Sequence, residues 1–451
     1  MIDLRGRVHG GVLAVWGSLV MGVVTSGAQE PPSPAPRWTV VHCGSLLAVP
    51  GQPVQQTMTV VVRDGVIDNV LPGFTDPANL PELANARVSV VDLGDRLVLP
   101  GLIDCHTHLT GEYTADIRLR RVEETDADSA IRGVVYARRT LEAGFTTVRN
   151  VGSSGDAAFA LRDAIRAGLV AGPRILVAGE SISPTGGHSD STLGYREDLF
   201  AMPEAMQGIA DGTAACRRAV RAQVKRGADV IKLTATGGVL SATAAGTEQQ
   251  FFADELEAIV ETAHLLGRKV AAHAHGTRGI NAALRAGVDS IEHGTFLDDE
   301  SISLFKKTGA VLVPTILAGK TVAERARIEG YFPPPVAQKA RRVGPEIQDA
   351  FARAYRGGVT IAFGTDSGVS HHGENAREFA YMVEAGMSEA DAIISATINA
   401  ARLLGLEDHV GTIEAGKAAD LIATAGNPLL DISELERVVF VMRGGRVYKG
   451  P

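Results

Sequence analysis

Residues 100–109 read PGLIDCHTHL, an apolar run ending in two histidines one residue apart. A short run of this kind, introduced by Pro-Gly, reads as a buried strand, and on a strand residues i and i+2 face the same side. His106 and His108 therefore point together, while Cys105 between them points away. An H-x-H pair alone is weak support for a metal, since imidazoles also decorate strands for structural reasons. Its meaning depends on what the rest of the chain brings to the same place.

Seven further runs of similar texture follow: TTVRNV, RILVAG, DVIKLT, KVAAHA, SIEHG, VLVPT and IAFGTD. Most are preceded by a helix-like stretch ending in Gly, such as TLEAGF, LRAGV and YRGGV. This alternation predicts βα units, and eight of them in roughly 300 residues suit an α/β fold of the (β/α)8 TIM-barrel type, whose active site lies at the C-terminal strand ends. Five of the eight runs carry a metal-ligand candidate there: His106 with His108, Lys232, His273, His293 and Asp366. In a closed barrel those ends converge, and imidazole nitrogen suits zinc and similar ions.

Outside the barrel stretch, residues 38–99 hold short β-like runs broken by Gly, Asp and Pro, and the same texture returns in HVGTIEAGKAADLIAT and VVFVMRGGRVYKG. The two ends are expected to pair into one small composite β-sandwich domain, with 29–99 and 407–451 as its halves and the barrel, 100–406, inserted between them. Arg5 and Arg7, an apolar stretch over 11–24 and the small residues Ser26-Gly27-Ala28 form a signal-peptide pattern, residues 1–28, cleaved after Ala28. Gln29 to Pro36 then reads as a Pro-rich tether. The expected location is the periplasm or the medium, without stable membrane insertion once the signal is removed, because the apolar stretch is shorter than a bilayer span.

The chain is 45% hydrophobic and 21% charged, with a formal net charge of −8. That composition excludes a wholly disordered chain. Its scattered basic residues lack the footprint of a nucleic-acid binder, so no nucleic-acid partner is expected. Cys43, Cys105 and Cys216 are too few and too dispersed for a disulfide framework.

Lys232, in GADVIKLTATGGV, is chemically odd among these ligands, because a protonated ammonium repels a cation. Burial favours the neutral amine, which reacts with carbon dioxide to a carbamate whose two oxygens bridge two ions. Together GLIDCHTHL, that lysine, HAHG, SIEHG, GTDSG and GTIEAGKAADLI resemble the amidohydrolase superfamily, and more narrowly its imidazolonepropionase-like branch, which includes Xaa-Pro dipeptidases and ochratoxinase-type amidases. The resemblance covers nearly all of the chain after the signal peptide.

The resemblance implies two divalent ions, zinc being expected: His106, His108 and Asp366 on one, His273 and His293 on the other, and carboxylated Lys232 between them. Imidazolonepropionases themselves resemble a mononuclear arrangement without that lysine. The chemistry implied is attack of a metal-bridging hydroxide on an amide or peptide bond of a dipeptide or N-acyl amino acid. Asp366 serves as general base and returns the proton to the leaving amine. Hydrolysis of a cyclic amide, lactone or phosphotriester is the alternative at the same centre, and a non-catalytic metal-binding barrel is the reading from another class. His188, in SPTGGHSD, either caps its own loop or donates to the substrate oxyanion; the likeness to the family's TGGH loop favours the second. His275, Gly237, Gly238 and His372 are the remaining substrate-contact candidates. The expected partner is a small amide or peptide, with homo-oligomerisation left open.

Overall fold

The computed structural model describes residues 36–84, 86–243 and 246–450. The expected signal peptide and nearly all of the tether lie outside the described residues. The first strands are β1 (Trp38–Leu46), β2 (Gln55–Arg63), β3 (Val66–Pro72) and β4 (Val88–Pro100). β2 turns into β3 at Asp64-Gly65, where both residues have positive φ, the geometry that Asp-Gly favours in a two-residue hairpin. β1 pairs antiparallel with β2 and parallel with β4.

β4 runs through Gly101 into β5 (Leu102–Thr107). Then come β6 (Phe145–Asn150), β7 (Arg174–Val177), β8 (Ile231–Thr234), β9 (Val270–Ala274), β10 (Ser290–His293) and β11 (Val311–Val313), with helices between them. Hydrogen bonding groups them into two parallel sheets, β5-β6-β7 and β11-β10-β9-β8. Parallel strands covered by helices are buried on both faces, and every residue of β5, β6, β8, β9 and β10 is buried.

The eighth expected run, IAFGTD, is extended without forming a regular strand. Its backbone groups go to different neighbours in turn. Towards β11, the Ala362 N–H takes the Leu312 carbonyl and the Thr360 carbonyl accepts the Leu312 N–H; towards β5, the Cys105 N–H takes the Phe363 carbonyl and the Asp366 N–H takes the His106 carbonyl. The Phe363 N–H is diverted to the carbonyl of Ser395 in the π-helical turn Ser395–Asn399, whose Asn399 side chain also takes the Ile361 carbonyl. The ladder is broken, yet the segment ties β11 to β5. On the other side, a parallel bridge joins Ile182, just beyond β7, to Leu233 of β8.

The last strands, β12 (Leu421–Thr424), β13 (Phe440–Arg443) and β14 (Arg446–Lys449), return to the start of the chain. β12 pairs with β4, and the order β14-β13-β12-β4-β1-β2-β3 makes one seven-stranded sheet from both ends. Hydrogen bonding joins these strands into one continuous sheet among the described residues. Their apolar faces share a cluster that includes Val41, Val60, Leu421 and Phe440. The β13–β14 turn, Gly444-Gly445, sits against the β2–β3 turn so closely that a Cβ on Gly65 would lie 2.5 Å from the Gly444 carbonyl oxygen. Cys43, Cys105 and Cys216 are all free and buried. No helix among the described residues is long and apolar enough to cross a membrane.

Gly65→Val would place a β-branched side chain at positive φ and against that carbonyl. It is expected to destabilise the protein by about 1–3 kcal/mol, read as a lower urea midpoint, with metal content per folded chain unchanged.

Candidate metal centre

The strand ends place His106, His108 and Asp366 in one group of converging ligand atoms, and His273, His275 and His293 in a second. The rings of His106 and His293 lie 5.0 Å apart, so the two groups adjoin. They line a cavity of about 190 Å³ together with Lys232 and His188. The opposite wall is apolar: Val322 from helix Ile316–Arg325, Val343 and Ile347 from helix Pro334–Arg356, and Val239, Leu240 and Val369 from loops.

Hydrogen bonding fixes which nitrogen of most of these rings is free. Nδ1 of His106 lies 2.7 Å from a Glu292 oxygen, and Nδ1 of His108 lies 2.9 Å from the Gly152 carbonyl. An ionised carboxylate and a carbonyl only accept, so both Nδ1 atoms carry the proton and both Nε2 lone pairs are free. These lone pairs face Oδ1 of Asp366 at 3.5 and 3.2 Å, and that oxygen has no donor. In the second group, Nε2 of His273 faces the Gly237 carbonyl at 3.4 Å, leaving Nδ1 free, and Nδ1 of His293 is 2.7 Å from the Thr315 hydroxyl. Nε2 of His293 points at Nδ1 of His273 at 2.9 Å, and His275 completes the converging group. At Asp366 the unpartnered oxygen and the free Nε2 lone pairs of His106 and His108 repel one another unless a cation lies among them, so the donor sets fit divalent metal. Burial pushes the His106 imidazolium down to about 4 and holds those of His273 and His293 well below the usual range, which keeps the lone pairs available.

Two of the ligands depart from regular strand geometry. Five non-glycine residues among those described have positive φ, and three of them are here: His293 (74°), Thr315 (54°) and Asp366 (57°). Alternation along β10 would send Glu292 and His293 to opposite faces. The left-handed kink at His293 turns its ring in as well, so both consecutive side chains reach the His106 ring.

Lys232 is buried, and its Nζ has no hydrogen-bond partner. Burial brings its ammonium down to about 8. It lines the same cavity as both ligand groups. An unpartnered buried amine in that cavity has the donor chemistry that a carbamate bridge would require.

His188 stacks on His273 at 4.2 Å, and its Nδ1 lies 2.8 Å from the Ser241 hydroxyl. Ser241 has only a longer alternative acceptor, the Gly238 carbonyl at 3.4 Å. The shorter contact takes the hydroxyl proton, so Nε2 of His188 keeps its own and is a donor. Burial brings this imidazolium down to about 3, leaving a neutral ring.

The remaining expected contacts fall differently. His275 is not farther out: it is buried, stacked on His293, and within the second ligand group, because it shares the inward face of its strand with His273. Gly237 and Gly238 are both required to be small by protein packing. A Cβ on Gly238 would lie 2.1 Å from the His188 ring, and one on Gly237 would lie 2.2 Å from the Gly246 carbonyl oxygen. His372 does not line the cavity; it stacks on Tyr136, with Nε2 at the Gly111 carbonyl. Sequence reasoning missed the residues that orient the ligands: Glu292, Arg149, Thr315 and Ser241. Glu292 had a signal, an acid inside the otherwise buried run SIEHG.

A family model described as Amidohydrolase family matches residues 97–448. The ochratoxinase of Aspergillus niger is 32% identical, covering 92% of this chain and 87% of that protein. A crystal structure of a Xaa-Pro dipeptidase with methionine bound in its active site is 46% identical, with a TM-score of 0.87 over 92% of this chain and 100% of its own. The structure of A. niger ochratoxinase superimposes with a TM-score of 0.78 at 30% identity, over 92% and 96% of the two chains.

Ser241→Ala frees the His188 tautomer. It is expected to lower kcat with little change in KM or metal content, which steady-state kinetics and metal analysis would show. Arg149→Met leaves the Glu292 carboxylate buried without its cation and is expected to cost about 3–5 kcal/mol, measured by urea denaturation.

Proposed function

We propose that this chain, which belongs to the amidohydrolase family and is a hydrolase of amide bonds, is a binuclear enzyme cleaving a dipeptide or an N-acyl amino acid beside an apolar side chain. The observation that carries the reading is the pair of adjoining ligand groups, with lone pairs facing the unpartnered Asp366 oxygen in the first and the unpartnered Lys232 amine lining the same cavity. His106, His108 and Asp366 would hold one ion, His273 and His293 the other with His275 in reach, and carboxylated Lys232 would join them. When bound, the ions, in this reading zinc, would polarise the scissile carbonyl and lower the pKa of water.

The chain's own groups do the rest. Nε2–H of His188 donates to the carbonyl oxygen as negative charge develops there. Oδ1 of Asp366 takes a proton from the attacking water and delivers it to the amine nitrogen as the C–N bond breaks, because an amine departs poorly unprotonated. The apolar wall of Val322, Val343 and Ile347 receives the side chain and excludes water. A second chamber of about 910 Å³ shares His188 and Leu240 with the inner cavity and offers room for the rest of the substrate. The similarity to a Xaa-Pro dipeptidase and an ochratoxinase supports this substrate class.

The scaffold in this reading is a closed (β/α)8 barrel, supported by the bonds from the 360–367 segment to β11 and β5. The composite sheet from both chain ends forms its second domain, folded over as a sandwich. Export, cleavage after Ala28 and action in the periplasm or outside the cell belong to the same proposal.

Metal analysis with intact mass under non-acidic conditions tests it. Two ions per chain and a mass excess of about one carbon dioxide, both lost in Lys232→Ala, are expected. One ion with an unmodified lysine would overturn the binuclear reading. Carbamate forms from the neutral amine, so carbon dioxide uptake by metal-free protein should rise with pH through about 8, the range to which burial brings Lys232. Ile347→Ala should lower kcat/KM about tenfold for substrates with an apolar side chain and leave metal content unchanged.

A further inference from the structure

Glu378 is fully buried in helix Arg377–Glu384 and does not line the cavity. Its two oxygens accept the N–H groups of Ile316 (2.8 Å) and Leu317 (2.6 Å), the first residues of helix Ile316–Arg325. Such N–H groups have no acceptor inside their own helix, and a Ser, Thr, Asp or Asn at the preceding position commonly caps them. Thr315 holds that position, but its side chain makes no capping bond. Its hydroxyl faces Nδ1 of His293 instead. Thr315 also has a φ of 54°, a left-handed conformation that a β-branched residue keeps only when its surroundings enforce it.

Capping by a buried carboxylate from another helix costs desolvation that a local cap would avoid. The arrangement makes sense once Thr315 is committed elsewhere. We propose that Glu378 is a positioning residue for His293: by holding the N–H groups of Ile316 and Leu317 it keeps Thr315 in its left-handed turn, with the hydroxyl at Nδ1 and Nε2 aimed at His273. Glu378 thereby also anchors the helix that supplies Val322 to the apolar wall. One turn earlier, the Asn375 amide donates to Asp104 (2.8 Å), whose other oxygen accepts the N–H groups of His106 (3.0 Å) and Thr365 (3.2 Å). A single turn of chain, 375–378, therefore braces both ligand groups. The inference rests on the reading of His293 as a ligand, and its test is read in metal-free protein.

With ¹⁵N-labelled histidine and the His293 signal assigned through His293→Gln, the wild-type ring should hold a single tautomer, set by the Thr315 hydroxyl. Glu378→Gln should populate the other tautomer as well and weaken zinc binding at the second group about 10–100-fold. Phe379→Leu, a packing change on the same helix, should alter neither. A wild-type tautomer in folded Glu378→Gln would overturn the proposal. Glu378→Asp, which keeps the charge but retracts the oxygens, is the second arm should Glu378→Gln not fold, and a wild-type tautomer there overturns it equally. Zinc per wild-type chain is recorded alongside: a single ion would remove the two-metal reading while the tautomer result stands.

Discussion

Between the two parallel sheets lies a fully buried ion pair. Arg149 of β6 donates to Glu292 of β10 at 2.8 Å, to the Ser290 hydroxyl at 3.1 Å and to the Cys105 carbonyl of β5 at 2.6 Å. The second Glu292 oxygen takes Nδ1–H of His106. Burial alone would raise the Glu292 carboxyl, but Arg149 and the His106 hydrogen bond hold it well below the usual carboxylate range. Charges so far from water are tolerated only when every partner is in place. The pair therefore constrains three strands and one imidazole plane at once, and the direction of the His106 lone pair follows from it.

A second constraint, acting in both ligand groups, is strain rather than charge. His293, Thr315 and Asp366 all occupy left-handed backbone, which non-glycine residues avoid. Each is held by bonds to neighbouring segments: Asp366 by the His106 carbonyl, Thr315 by the Gly364 carbonyl, His293 through Thr315. Strain of this sort clusters where side-chain direction matters more than local comfort. Here it turns two strand-end ligands into a cavity that regular alternation would have kept them out of.

The cavity joins neutral imidazoles on one side to an aliphatic wall on the other. Low polarity keeps His106, His188, His273 and His293 deprotonated and lowers the lysine ammonium, so the same burial that makes the aliphatic wall leaves nitrogen lone pairs available in the cavity. Packing and chemistry are one feature in this site.

Most of the strand positions were legible in the sequence, since apolar runs alternating with helical stretches have a period that burial enforces. The six ligand candidates were legible for the same reason, each standing at the end of such a run. The eighth run was misread as a regular strand, because its backbone partners come from a π-helical turn some 30 residues onward that no local pattern announces. The abutment of Gly238 on His188 is not legible locally, and His275 was placed too far out, because what a glycine or histidine touches is set by a distant segment. By itself, then, the sequence determined which residue types stand at the strand ends, through periodicities of two and 3.6 that act over a few neighbours. Only the tertiary structure decided which nitrogen of each ring is free and which acid or hydroxyl holds it, because Glu292 lies 186 residues from His106 and Glu378 acts through Ile316, 62 residues away. Contacts at that separation are made by folding alone.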